Sequence, residues 1–535
     1  MIKTDTRYNI PEIARRLKQE EQLLAAGRLV SNYAIALPTL NGAEDKKTHL
    51  AHKLARYLFP TEDKDRVHSY IAYGKLLSKL RAAYRKQVAQ QQIEDAKQNE
   101  YQDRFREARK FGQRQVFESL LDEPISDLIL NPIPMPVEVA SLEELTPFFE
   151  GLKQGRAAAR ECVEFPRGAY YNDGRIDMCK QVVGRDWIGE LVDSVKSNNN
   201  VEHFLLGNNI VGDEGAEKIA ALIQSESSPA IKTYYLAGNC FTAKGTAKLG
   251  AALRQNQTVE SLWLKRNPLK AEGVAQIAQM LEVNQSLQTL DLVNVGMLDA
   301  GVKVLFASLK QNRTLRTLYI DANGIGVEGA RYIADYFEYL KRTKQIGLTS
   351  LFMAINRLGD EGVKIIAEAI SDYPHLQRLD FSSNRIQNSG LATLLDRLTT
   401  LPQLIYLGVG LYKSTSDLRE LPNYFDREGA DIIAEFLRTN PALQIMEIKD
   451  VNLREGGSKA IATALEANTT LLDLAYAQFQ YTIPQTVTAQ IKACLARNIQ
   501  QQLGIEPAEF KRTRLRKIKH TEKICFIDSI YRNRT

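Results

Sequence analysis

One pattern limits the fold of this chain more than any other feature. The motif L-x-L-x-x-N-x-ϕ-x-x-x-G, followed by an apolar-periodic segment, returns along roughly two thirds of the 535 residues. Units begin near Val201, Ile231, Val259, Leu287, Leu315, Leu348, Leu376, Leu404, Leu443 and Leu471, and six of the nine steps are 28 residues. A degenerate first unit lies around Asp173. Segments such as SLWLKRN and TLYIDAN alternate with period two, whereas EGAEKIAALIQ and EGVKIIAEAISDY carry apolar residues at helical spacing. Each unit therefore reads as a short strand, a turn and a helix. No single unit can bury its own apolar face, so stability has to come from stacking neighbours.

Two positions have mechanical roles. The turn asparagines Asn209, Asn239, Asn267, Asn323, Asn356 and Asn384 can satisfy backbone groups that the bend leaves open. Val295 and Val451 replace them in two units, so those bends need other partners. Gly215, Gly245, Gly273, Gly301, Gly329, Gly362, Gly390, Gly429 and Gly457 either let the helix pack closely or supply an unusual dihedral.

These units resemble the leucine-rich repeats of the ribonuclease-inhibitor class, the subclass shared with the GTPase-activating proteins of Ran. The resemblance covers residues 173–498. It implies an α/β fold, a right-handed horseshoe with a parallel sheet inside and helices outside, and a protein that works by gripping another.

In such a fold the residue between the two inward leucines points into the hollow. That column reads Leu205, Tyr235, Trp263, Asp291, Tyr319, Phe352, Asp380, Gly408 and Glu447, with Trp263 expected to face water. Flanking positions add His203, Lys265, Asp321, Arg378 and Lys449 as a charged rim. Grouped surface aromatics mark an interface centre. The plainer alternative is that β-propensity selects these rings, or that they pack on one another beneath an N-terminal segment folded into the hollow. An insertion, LYKSTSDLRELPNYFD, separates Leu407 from Gly429 by 22 residues instead of 11, and its Tyr412 and Tyr424 extend the candidate partner-binding set.

Residues 1–121 lack the repeat and read as helices, with RKQVAQQQIEDAKQNEYQDRFREARK polar almost all round, as in a helix that self-associates or docks a second partner. A junction and cap over 122–172 carries Pro124, Pro132, Pro134 and Pro136. The stretch 499–535 reads as a basic tail, with six basic residues between Lys511 and Lys519. Such a cluster suits nucleic acid or an acidic surface, but no nucleic-acid module accompanies it, and a solvated tail is the simpler expectation. The apolar end, ICFIDSIY, suggests that part of it docks.

Nothing points to chemistry. There is no G-x-x-x-x-G-K-[ST], H-E-x-x-H or G-x-S-x-G, so no catalytic, cofactor or metal residues are assigned. His49, His52 and His68 lack a third ligand of known geometry, and Cys162 and Cys179 read as small buried residues. Five scattered cysteines without a CxxC pair fit a reducing cytoplasm, and no apolar run suggests a membrane span. The expectation is a non-enzymatic interaction protein: scaffold, adaptor or inhibitor. GTPase activation and nucleic-acid association through the tail are the alternatives.

Overall fold

A computed structural model describes residues 114–132, 140–451, 453–477 and 482–531. The expected N-terminal helices, with His49, His52 and His68, lie outside the described residues except at their end. Among the described residues, thirteen strands form one sheet in strict chain order. They are β1 (Cys162–Glu164), β2 (Ala169–Tyr171), β3 (Arg175–Asp177), β4 (His203–Leu205), β5 (Thr233–Tyr235), β6 (Ser261–Trp263), β7 (Thr289–Asp291), β8 (Thr317–Tyr319), β9 (Ser350–Phe352), β10 (Arg378–Asp380), β11 (Tyr406–Gly408), β12 (Ile445–Glu447) and β13 (Asp473–Ala475). From β3 onward all pairings are parallel, while β1 and β2 form an antiparallel hairpin that ends the parallel ladder. This is the leucine-rich-repeat horseshoe, a long sheet backed by one helix per unit.

The helices form because each carries a single apolar stripe. In Gly212–Gln224, Ala216, Ile219, Ala220 and Ile223 are buried, and Asp213 and Glu214 occupy the first turn, where a helix favours negative charge. The recurring glycines are there for space, not for dihedral. A Cβ on Gly273 would stand 2.9 Å from both the Leu269 Cβ and the Thr246 hydroxyl, and its φ lies outside the left-handed region. The lengthened helix Val327–Thr343 is secured where it returns to the sheet: Leu348 N–H donates to the Tyr336 hydroxyl at 3.0 Å, and Gly347 N–H to the Tyr373 hydroxyl at 2.9 Å.

Behind the strands the turn asparagines form a continuous ladder. Asn267 donates through Nδ2 to the carbonyls of Leu236 and Leu264 and accepts the N–H groups of Asn239 and Phe241 at Oδ1, so it serves its own bend and the one before it. The Val295 bend borrows its neighbour in the same way, its N–H donating to Asn323 Oδ1 at 3.0 Å. In the unit of β11 the ladder position is held by Asn423, beyond the insertion. Its Nδ2 donates to the carbonyls of Phe381 and Val409, and its Oδ1 accepts from Asn384 and Ile386. A second ladder, including Asn256, Asn284, Asn312, Asn440 and Asn468, shapes the return from helix to strand; Asn284, for example, donates to Leu253 O and accepts from Leu287 N–H.

The chain beyond the last repeat departs from expectation. The capping helix runs Gln485–Leu503 and stops at Gly504, whose φ of 66° is the left-handed turn that glycine favours. Two short helices, Pro507–Thr513 and Leu515–Lys519, and a 3-10 turn, Glu522–Ile527, follow. The first packs on the last repeat through Phe510, and the residues from Leu515 onward lie in the hollow.

Candidate functional site

Parallel register lines up the predicted column Cα against Cα, from Leu205 through Tyr235, Trp263, Asp291, Tyr319, Phe352, Asp380 and Gly408 to Glu447. The aromatics form a run of rings. Tyr235 and Trp263 have centroids 6.4 Å apart, Trp263 and Tyr319 5.3 Å, and Tyr319 and Phe352 4.4 Å with planes within 10°. Trp263 reaches Tyr319 across Asp291, whose carboxylate turns aside to accept the Val293 N–H at 2.8 Å. Tyr406 extends the run, 6.0 Å from Phe352.

The column is assembled as expected, but it does not face water. Trp263 and Phe352 are each 2% exposed, Tyr235 4% and Tyr319 6%. They share a buried cluster with Ile527 and Tyr531 and with the partly buried Leu515, Ile518, Ile524 and Ile530. The C-terminal segment, read from sequence as a mainly solvated tail, therefore lies on the rings. Among the described residues the covering segment is the C-terminal one; the N-terminal alternative falls largely on residues 1–113, outside the described residues.

Its anchoring is specific along its whole length. Near the last repeat, Phe510 is buried with Leu472 and Ile499. Arg378 Nε donates to the Ile518 carbonyl at 2.8 Å, and Lys519 pairs with Glu447 at 2.6 Å. His520 sits over Tyr319 and Phe352, its Nδ1 3.4 Å from the Tyr319 hydroxyl. Lys523 pairs with Glu260. Phe526 stacks on His203 at 4.3 Å with planes within 7°. At the far end Arg175 Nη1 donates to the carbonyls of Cys525 and Asp528, while the Ser529 hydroxyl and Ile530 N–H donate to the Asp177 carboxylate. The segment thus links the last repeats to the first parallel strand.

Sealing the hollow shifts its titrating groups. Burial holds His520 down at about 3, with Lys519 and Arg516 beside it adding to the effect, and holds His203 down at about 4. Burial raises Asp380, aided by Glu447, and raises Asp321 well above the carboxylate range, aided by Asp380. The Tyr406 hydroxyl lies 3.1 Å from Asp380 Oδ2 and 3.2 Å from Glu447 Oε2, so its one proton serves two acceptors. Lys265 remains half-buried, with its ammonium 5.7 Å from the Tyr235 ring, and Lys449 is exposed.

Tyr412 and Tyr424 belong elsewhere. Tyr424 stacks on Phe117 at 5.2 Å, and Tyr412 packs with Ala322, Ala354 and Ile355, so the insertion contacts this chain's own bends. Its centre is Glu420, fully buried, which accepts from Arg357 at 2.7 Å and Arg385 at 2.8 Å. The same guanidiniums donate to the carbonyls of Glu123, Pro124 and Leu121. Residues 117–132 therefore run along the bends; a Cβ on Gly296, at φ 71°, would stand 3.0 Å from the Leu130 carbonyl. Sequence reading missed this latch, although Arg357 and Arg385 each follow a ladder asparagine at the same place in consecutive units.

Among the described residues no group of three or more His, Cys, Asp or Glu is arranged to hold a metal, and no helix is long and apolar enough to cross a membrane. Cys179 is buried beside the hollow, whereas Cys162 is partly buried.

A family profile described as Leucine Rich repeat matches residues 197–220, 311–334 and 374–395, and the chain is a leucine-rich-repeat protein. No sequence match to a curated protein is found. Among solved structures, the leiomodin-1 actin-binding site 2 aligns over 46% of this chain and 80% of its own, at 14% identity and a TM-score of 0.13. A TLR13–ssRNA13 complex aligns over 53% of this chain and 36% of its own, at 15% identity and a TM-score of 0.31.

Proposed function

We propose that this chain is a non-enzymatic interaction protein of the ribonuclease-inhibitor-like subclass, and that it binds a protein partner on the inner face of its repeats. The 28-residue step supports the subclass. The binding reading rests on one observation. A run of aromatic rings, flanked by Arg378, Glu447 and Glu260, already holds a length of polypeptide by ring stacking, backbone-carbonyl recognition and ion pairing. A partner segment would meet the same groups. None of the five cysteines is in a disulfide, which suits action in the cytoplasm.

The test is affinity capture from the native cell with the full chain and with a Trp263→Ala/Phe352→Ala variant, followed by titration of each identified protein. A protein whose affinity falls at least about tenfold in the variant is the inner-face partner. If every captured protein binds the variant as well as the wild type, the inner face is not the binding surface.

A further inference from the structure

Resting on that reading, we infer that residues 505–531 are a displaceable internal ligand of the hollow, and that the partner is a peptide segment of the same chemistry. That chemistry is an aliphatic residue, a lysine and a planar ring in succession, then aliphatic residues spaced as Ile524 and Ile527 are from Ile518.

Four observations carry this. First, the main core of the repeats closes without the segment, and only Leu472 and Ile499 at the last repeat are buried against its Phe510. The continuous cluster from Ala140 to Leu495 contains no residue beyond Leu495, whereas the cluster on the hollow side is shared between sheet and segment. Second, the segment has little structure of its own, two short helices and a 3-10 turn, so its order comes from the surface beneath it. Third, the fit is incomplete. Trp263 Nε1 and Ser261 Oγ are buried in or beside the cluster with no hydrogen-bond partner among the described residues. A buried donor left unmet weakens the closed state, so a partner that offers an acceptor to Trp263 Nε1 outcompetes the segment. Fourth, the charged contacts are complementary and partly solvated. Lys519 and Lys523 meet Glu447 and Glu260 with 19–30% of each side chain exposed. Such pairs set register and can be exchanged for equivalent pairs from another chain. Removing the segment would bare Tyr235, Trp263, Tyr319 and Phe352 together, the kind of apolar patch a chain keeps covered until its partner arrives.

The experiment uses the full chain in three forms: wild type, Ile527→Asp, and Lys519→Glu/Lys523→Glu. All three substitutions lie in the segment and leave the sheet intact. A fluorescein-labelled peptide of residues 514–531 is titrated into each. Because a closed hollow lowers apparent affinity by the open fraction, both variants should bind the peptide at least about tenfold more tightly than wild type. Adding Trp263→Ala should abolish the gain, and a peptide carrying the two lysine-to-glutamate changes should bind weakly. Equal peptide binding by wild type and variants, or none by any form, overturns the inference. So does loss of a cooperative melt in both variants, because the segment would then be part of the folding unit. A wild-type dimer that dissociates on Lys519→Glu/Lys523→Glu would place the segment in a second copy and also overturn it. An identified protein that needs Trp263 but binds wild type and opened variants equally would overturn this inference while keeping the inner-face reading. Peptide capture by the opened variants, with no protein depending on Trp263 and Phe352, would do the reverse.

Discussion

The two faces of one sheet are completed in different ways. Behind the strands, Asn209, Asn239, Asn267, Asn323 and Asn356 are fully buried, and each tends its own bend and that of a neighbour, so repetition itself supplies the hydrogen-bond partners. The ladder holds even where spacing changes, since Asn356 and Asn423 both accept from the bend before them; the Oδ1 of Asn384, at a regular 28-residue step, has no partner among the described residues, although its Nδ2 still donates to the Met353 carbonyl. On the hollow side neighbouring repeats satisfy some carboxylates, as Ala354 N–H does Asp321 and Tyr406 does Asp380, but the rings and the charges of Glu447 and Glu260 are left open by the repeats. Those groups are completed by a segment from outside the repeats, and Trp263 Nε1 stays unmet. One face is closed by its own periodicity, and the other takes whatever lies on it.

Breaking the periodic face should cost most. Asn267→Ala leaves two carbonyls and two N–H groups without their partner. The expected loss is about 4 kcal/mol in chemical denaturation, since each buried unmet group costs about 1–3 kcal/mol. A loss near zero would show that the ladder is ornamental. Next comes the latch on the bends. Glu420→Ala removes the carboxylate that both Arg357 and Arg385 contact, and the expected loss is about 3 kcal/mol, read from the same unfolding curves. Chymotrypsin should then cut more readily after Phe117, Leu120, Leu121, Leu128 or Leu130. Unchanged stability and cleavage would mean that the insertion and this segment are not coupled through Glu420.

On the hollow side the effects should be smaller and appear in binding. Trp263→Ala should weaken an identified inner-face partner by about 2 kcal/mol while leaving the cooperative melt in place, because the ring lies outside the helix–strand core. Partner binding unchanged, or a collapsed melt, would erase the distinction between the faces.

The smallest effect is a pH dependence. His520 titrates near 6.5 when released and at about 3 when docked, because burial against Tyr319 and Phe352 and the nearby charges of Lys519, Arg516, Arg378 and Lys265 disfavour its cation. Between those values the released segment binds a proton that the docked one does not, so acidification favours release, by at most about tenfold per pH unit. The raised carboxylates Asp177 and Asp380 act in the opposite sense, because the docked state binds protons more readily there. The difference between wild type and His520→Leu isolates the imidazole. Peptide binding by wild type should gain on the variant as pH falls from 7 to 5, and parallel profiles would remove His520 from the balance.

Much of this was legible in the sequence, and the limits have physical causes. Period and alternation place every repeat strand and the full column, because a parallel register carries one residue per unit to the same height. The insertion hid its own ladder residue. Asn423 holds the place that Tyr412 occupies by residue count, and counting cannot tell a bend moved along the chain from a bend lost. The covering segment was hidden for a different reason. It has no period, and six basic residues between Lys511 and Lys519 read as solvated until Glu447 is seen opposite Lys519. Its apolar end was the one local sign. Trp263 drew attention as a residue the repeat does not require, and that remains true: it serves the hollow and not the core.

Amide hydrogen exchange on the full chain tests the central contrast most directly, because it reads the opening of each face separately. Residues 505–531 should exchange at least about a hundredfold faster than strands β5 to β10, through an opening that leaves the asparagine ladder protected. Exchange of the segment and those strands together, at one common rate, would contradict it.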